Sequence, residues 1–391
     1  MTQNSTQVGN ARSFDGRPYR VVLIHPAAGV NWSGGAETFS IELSRYLSPY
    51  FEVELLSGAP CNSFSHPVPG LPRNYTYDLL RHPLVKPLWS RFVKSPEIWL
   101  EHLASFFPCV LHLLQRPADL IFPCNEFGGL MVASTVRSLL KTPVLYTEHG
   151  SLIEGGYHLS RNLKFQPDRL VVFSETVSKF VHDLRPEQAV SIIHNGVDLQ
   201  RFTPEGETID LGLAGPIVLC VSSLGRTGYK RTELIIHAMS RLPNANLLIC
   251  GHGPDREYFQ ALGDALLGSE RFAIRTFPFD QMPKVYRSAD IFTLPSVDEP
   301  CALTYLEAMA SGLPVVTTDD EMRRQTIGDA GITCDVTDAE IYATALAEVL
   351  HERPRAKARR NALRFGWETV AVRYREVIEE TIALSQKASS A

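Results

Sequence analysis

The chain has 391 residues, 44% of them hydrophobic and 21% charged, with a formal net charge of −5. That length exceeds what one hydrophobic core usually serves, so two domains of roughly 180 residues each are expected, and the acidic balance excludes a protein held to nucleic acid by bulk charge. The seven cysteines are scattered without a Cys-x-x-Cys pair, which gives no zinc framework and points to free thiols in a reducing compartment, and no apolar run is long enough to span a membrane.

Residues 1–18 are polar and lack the apolar centre of a signal peptide, so they read as a flexible tail. Arg20 to His25 is a buried-strand pattern, Gly34 and Gly35 follow it as a turn, and an amphipathic run continues to Leu47. Strand, glycine loop and helix open a doubly wound α/β domain. A second strand is expected at 51–56. Residues 58–96 hold prolines at 60, 67, 69, 72, 83, 87 and 96, which forbid long uninterrupted helices. Here and just beyond, Tyr75, Tyr77, Trp89, Phe92, Trp99, Phe106 and Phe107 are interleaved with Arg81, Lys86, Arg91 and Lys94. Two readings stay open. The aromatics are the domain's own core, or segment 75–107 is a peripheral contact with a membrane interface and a lipid-linked acceptor.

From 117 onward, strands expected at 119–123, 143–147, 168–174 and 190–194 alternate with helical stretches, which argues a parallel sheet. His149 stands at the C-terminal end of one of them, the edge where active-site groups collect, although a lone histidine there also serves structure. Residues 19–202 form the first domain in this reading. The stretch 203–215, with Pro204, Gly206, Gly212 and Gly215, is a linker. Strands at 216–222, 246–250, 271–275, 290–294 and 313–317 then build a second domain over 216–366, and a helix over 367–391 closes the chain.

The chemistry concentrates in this second domain. Arg226 and Lys230 are four apart on a loop and helix start, a spacing that lets two cations aim at one point, although paired surface charges are usually just solvated. Gly251 and Gly253 form a Gly-x-Gly-Pro turn at a strand end, too short for a dinucleotide fingerprint. Residues 290–317 read as strand, loop, helix, turn and strand, with Glu299 in the loop and Glu307 inside the helix. The free N–H groups of Cys301, Ala302 and Leu303 lie between them and favour an anion or a sugar hydroxyl. An acidic residue before Pro300 is also an ordinary helix start.

As a string, Pro-Ser-x-x-Glu299-Pro followed by Leu-Glu307-Ala-Met-Ala-x-Gly-x-Pro-Val-Val resembles the signature of the retaining glycosyltransferases of family 4. The glycine loop at 34–37, His149, the Asn195-Gly-Val-Asp junction and the Gly225-Arg…Lys230 element are similar to that family's other motifs. Cys301 and Ala302 replace its usual Phe-Gly, and Arg231 stands where a glycine commonly follows the lysine. The resemblance implies a GT-B architecture, two Rossmann-like domains facing across a cleft with the closing helix packed back on the first. It also implies transfer of a hexose from a nucleotide-diphosphate sugar, GDP-mannose or a UDP-hexose, to a glycan or lipid-linked acceptor in polysaccharide or glycoconjugate biosynthesis. In that scheme Arg226 and Lys230 hold the diphosphate, Glu299 and His149 flank the hexose, and Glu307 takes the ribose. Gly34, Gly35, Gly251, Gly253 and residues 301–303 line the donor; the acceptor residues are not assigned. No cofactor or metal is expected, since no Asp-x-Asp occurs. The expected location is cytoplasmic, with a peripheral place at the inner membrane face left open. An inactive nucleotide-sugar-binding partner and a sugar-nucleotide epimerase of the same fold remain as alternatives.

Overall fold

The computed structural model describes residues 16–30, 34–71, 75–76, 80, 96–125, 127–150, 152–226, 228–299 and 301–390. Residues 1–15 of the tail and Tyr77, Arg81, Lys86, Trp89, Arg91, Phe92 and Lys94 of the aromatic and basic segment lie outside them. The chain forms two compact units, 1–194 together with 370–391, and 195–369.

The first unit is built on β1 (Arg20–His25), β2 (Glu52–Ser57), β3 (Ser65–Pro67) and β4 (Leu120–Pro123), a parallel sheet in the order β3-β2-β1-β4. A second parallel set, β5 (Leu145–Thr147), β6 (Arg169–Val172) and β7 (Val190–Ile192), continues it through an isolated bridge between Ile121 and Val144. All six residues of β1 are buried, as a central parallel strand covered on both faces requires. Helices α1 (Gly35–Leu47), α2 (Pro96–Gln115), α3 (Phe127–Leu140), α4 (Ile153–Asn162) and α5 (Glu175–Leu184) alternate with these strands. Val22, Ile24, Leu56, Ile121, Val136 and Val172 belong to one continuous core.

The second unit has six parallel strands in the order β10-β9-β8-β11-β12-β13. They are β8 (Ile217–Val221), β9 (Asn246–Cys250), β10 (Phe272–Arg275), β11 (Ile291–Leu294), β12 (Val315–Thr318) and β13 (Gly331–Cys334). The helices are α6 (Glu233–Ser240), α7 (Arg256–Leu267), α8 (Met282–Arg287), α9 (Leu303–Ala310), α10 (Glu321–Ile327), α11 (Ala339–Glu352) and α12 (Arg355–Ala362). Strand order reverses between β8 and β11, so the crevice beyond their C-terminal ends is the unit's topological switch point. The loop carrying Lys230 leaves β8, and the loop carrying Glu299 leaves β11.

Two short strands escape a reading of the sequence. β3 is a three-residue edge strand, Ser-His-Pro, inside the proline-rich stretch expected to be irregular. β13 begins at Gly331, where an added Cβ would sit 1.8 Å from the Val315 carbonyl oxygen, so the glycine is required by strand packing and hides the strand from a propensity argument.

The chain passes into the second unit at Asn195, ahead of the glycine- and proline-rich 203–215 stretch. Val197 pairs with Gly366, and the Trp367 ring lies against Gly196, whose added Cβ would meet it at 2.3 Å. The final helix, α13 (Trp367–Ser390), belongs to the first unit from Val370 onward. There the Tyr374 hydroxyl lies 3.1 Å from Thr147 Oγ1, and Arg373 donates to the Ile192 carbonyl at 2.7 Å.

Candidate functional site

The switch point of the second unit is built around a buried ion pair. Lys230 Nζ donates to Glu299 Oε1 at 2.5 Å, and the two side chains are only 16% and 10% exposed. Burial alone would lower the Lys230 ammonium pKa; the Glu299 carboxylate beside it outweighs that and holds it above its ordinary value, so the cation is permanent. The ammonium also lies 4.9 Å from the centre of the Tyr229 ring. Glu299 Oε2 is buried and has no hydrogen-bond partner among the described residues. A carboxylate oxygen withheld from water and left without a donor is costly, and a ligand hydroxyl would satisfy it.

Arg231 explains how this loop is held. It adopts a left-handed backbone, φ +50°, a conformation glycine accepts without strain. Its guanidinium donates to the Pro295 carbonyl at 2.8 Å and to Thr318 Oγ1 at 3.0 Å, tying the Lys230 loop to the ends of β11 and β12. The buried Arg323 on α10 reaches Ser296 Oγ at 3.0 Å and braces the same loop from the other side. Neither arginine's bracing role was read in the sequence, because a cation that serves neighbouring carbonyls looks like any surface charge until the fold is known.

Arg226 takes other partners. Its backbone N–H donates to Asp255, and its half-exposed guanidinium lies 4.1 Å from the Tyr258 ring centre and 3.9 Å from Glu233 Oε1. Lys230 and Glu299 are therefore brought into one pair, while Arg226 is held at the start of α7. Gly251 and Gly253 meet a packing demand. A Cβ at the first would lie 1.8 Å from the Ser222 carbonyl oxygen and at the second 2.2 Å from that of Leu224, so the loops after β8 and β9 touch through bare backbone.

Glu307 sits in the second turn of α9, 8% exposed, and accepts from the Tyr286 hydroxyl at 2.8 Å. Burial pushes its pKa up to about 7, with the Tyr286 hydrogen bond and the Arg201 charge pulling the other way. Helix α9 has Ala302 at its N-cap, whose side chain cannot cap it, so its first N–H groups are available to an anion or a hydroxyl. The Cys301 carbonyl is held by Asn195 Nδ2 at 2.7 Å, and burial pushes the Cys301 thiol up to about 12, which rules out a thiolate nucleophile.

In the first unit, His149 packs on Phe39 of α1, with ring centres 4.7 Å apart, and on Phe173 at 5.6 Å. The turn after it is fixed by the fully buried Glu148, whose Oε1 accepts from the Gly150 N–H at 2.7 Å and whose Oε2 accepts from Asn162 at 2.9 Å. Gly34 is the cap of α1, and a Cβ added at Gly35 would meet no described atom within 4 Å, so packing among the described residues does not require that glycine. A small pocket at the C-terminal ends of β1, β2 and β3 is lined by Pro26, Gly58, Val68 and Leu71 with Glu101 and Ser105 of α2. Glu101 gave no signal in the sequence, since its helix reads as apolar.

Comparisons with known proteins agree with this architecture. Residues 33–201 match the description Glycosyltransferase Family 4, and residues 210–364 match Glycosyl transferases group 1. The chain is 26% identical over 310 residues to sulfoquinovosyl transferase SQD2 of Arabidopsis thaliana, covering 72% of this chain and 58% of that protein. It is 31% identical over 204 residues to the GDP-mannose-dependent alpha-(1-6)-phosphatidylinositol monomannoside mannosyltransferase of Mycolicibacterium smegmatis, covering 47% and 53%. The matched region thus spans little more than half the length of these two relatives. The fold is that of sucrose-phosphate synthase from Thermosynechococcus elongatus, with a TM-score of 0.74 at 18% identity over 94% of this chain and all of that one. With consecutive family matches over both units and a GT-B neighbour along nearly its whole length, the chain belongs to glycosyltransferase family 4, the group 1 glycosyl transferases.

Proposed function

We propose that the protein is a retaining glycosyltransferase that moves a hexose from a nucleotide-diphosphate sugar to a glycan or lipid-linked acceptor. The observation that carries this reading is the buried Lys230–Glu299 pair at the switch point, with Glu299 Oε2 left for a ligand hydroxyl. When the bond between the anomeric carbon and the diphosphate oxygen breaks, negative charge grows on that oxygen, and a fixed cation in a dry site stabilises it without reorganisation. Lys230 is that cation. Arg226 supports the diphosphate from the α7 side, Glu299 and the N–H groups of 301–303 hold the hexose, and Glu307 takes the ribose hydroxyls. His149 contributes beside the hexose. The acceptor oxygen bonds to the anomeric carbon from the face the diphosphate leaves, and its proton passes to the departing phosphate oxygen. No carboxylate nucleophile is needed in this scheme.

The donor relation comes from the mannosyltransferase likeness, whose name specifies GDP-mannose, while UDP-hexoses fit the same groups. Purified protein with a panel of GDP-, UDP- and ADP-sugars is expected to release nucleotide from one of them, faster with acceptor and unchanged by EDTA. Binding without release under every condition would favour an inactive nucleotide-sugar binder, and sugar interconversion without acceptor an epimerase.

A lipid-linked acceptor is favoured by helix α2. Leu103, Phe107, Leu111 and Leu114 recur at helical spacing and are 52%, 76%, 57% and 38% exposed, while Glu101, His102 and Ser105 point inward. No helix among the described residues is long and apolar enough to cross a membrane, so this stripe fits lying on a bilayer surface. Phe107→Asp should cut co-sedimentation with anionic vesicles several-fold while leaving release from a soluble acceptor intact. Undiminished sedimentation would remove the lipid reading and leave the glycan one.

A further inference from the structure

The first unit holds a cluster that the transfer chemistry does not use. Glu54 on β2, His66 on β3 and His112 on α2 place one ligand atom each within 4.8 Å of one another. Glu54 Oε1 is 3.1 Å from His112 Nε2 and 3.6 Å from His66 Nδ1, and the two imidazole centres are 4.3 Å apart. We infer that Glu54, His66 and His112 form a binding site for a divalent transition metal of the zinc type, which clips the edge strand β3 to the sheet and to α2.

The spacing carries the argument. A tetrahedral centre with bonds of about 2.0–2.1 Å sets its ligand atoms about 3.3 Å apart, and the two observed separations from Oε1 bracket that value. Two imidazoles and one carboxylate leave a fourth position for water, and His66, 47% exposed, gives the entry path. The carboxylate is already oriented as metal-ligating carboxylates are. Arg20 bonds its other oxygen, Oε2, and leaves Oε1 for the cation. Burial alone would raise the Glu54 carboxyl pKa, but the hydrogen bond from His112 and the Arg20 charge outweigh it, so the group is ionised near neutral pH. Two cations already face the carboxylate, Arg20 on Oε2 and Arg116 on Oε1, and the second competes for the metal's place. Arg116 lies 3.6 Å from Oε1, but its side chain is 58% exposed and free to turn into solvent. On binding, the metal replaces the contact between His112 Nε2 and Oε1. The clip would also explain why a three-residue strand of Ser, His and Pro is retained at the sheet edge.

This inference does not rest on the transferase reading, because all three ligands lie in the first unit and none is assigned to the donor. The test uses tag-free full-length protein stripped with chelator and titrated with Zn²⁺, and separately with Co²⁺, whose tetrahedral complexes absorb strongly in the visible. One equivalent should bind and raise the melting temperature. His66→Ala, at an exposed position that should fold normally, should weaken binding about tenfold or more. Arg116→Ala, which removes the competing charge, should tighten it. Absence of stoichiometric binding, binding undiminished in His66→Ala, or weaker binding in Arg116→Ala would each overturn the site.

Discussion

Replacing Lys230 by alanine is expected to lower donor-dependent transfer by about 10²-fold or more, the scale of removing one preorganised group that stabilises a developing oxyanion. The same change strands Glu299, whose carboxylate is 10% exposed and has Lys230 as its ion-pair partner. Breaking a buried pair from one side costs roughly 3–5 kcal/mol, which in a unit of this size is a fall on the order of 10 °C in melting temperature. The sequence alone predicts lost turnover with an intact fold; the burial of the pair adds the stability cost. The two effects separate in the double variant Lys230→Met with Glu299→Gln. With both charges gone the melting temperature should recover, while turnover stays low because the buried cation that stabilises the leaving phosphate is missing. Rates measured on folded protein well below the transition, with kcat/KM compared across the three proteins, check this. Near-normal kcat/KM in folded Lys230→Ala would remove Lys230 from the chemistry.

Both units were legible in the sequence, because fully buried parallel strands are written as apolar runs such as Val21 to Ile24 and Ile217 to Val221. Their ends shifted by a residue or two, as at β7, which stops at Ile192 two residues before the expected 194. The elements that stayed hidden are those whose sequence answers to neighbours. β13 needs Gly331 for close strand approach, and β3 is three edge residues containing proline. The same division holds in the site. Lys230, Glu299 and Glu307 announce themselves by type and position, and the first two prove to be bonded to each other. Tyr286, which donates to Glu307, and Arg231 and Arg323, which brace the loops, give no such signal, since their partners lie tens of residues away in sequence. Gly251 and Gly253 carry a packing demand from the backbone of Ser222 and Leu224 that the Gly-x-Gly-Pro pattern alone does not show, and it leaves their place beside the donor open to test.

Glu307→Gln is expected to make the protein more stable above neutral pH and a poorer binder of donor. Burial raises the Glu307 carboxyl from 4.5 to about 7 in the folded protein. A group whose folded pKa is raised stabilises the fold while protonated in both states, and that contribution is lost as pH climbs from the unfolded value through the folded one. Between about pH 4.5 and 7, then, ionisation of Glu307 progressively destabilises the protein, by roughly 3 kcal/mol once pH exceeds 7. Glutamine keeps the shape and an oxygen for the Tyr286 hydroxyl but carries no charge, so it escapes this penalty. Its melting temperature should match wild type near pH 4 and exceed it at pH 8.5. Donor binding should move the opposite way. A carboxylate accepts hydrogen bonds from two ribose hydroxyls, whereas an amide has one acceptor oxygen, already engaged with Tyr286, and charge-assisted bonds are about twice as strong as neutral ones. Wild-type affinity for the nucleotide sugar should therefore rise with pH through about 7, and in Glu307→Gln it should be about tenfold weaker and lose that pH dependence. Calorimetric titration of donor at pH 5.5, 7 and 8.5, with melting curves at the same values and near pH 4, gives both readouts. A variant that is less stable at pH 8.5 would show that the carboxylate is not held at a cost, and one with undiminished affinity would remove Glu307 from the ribose.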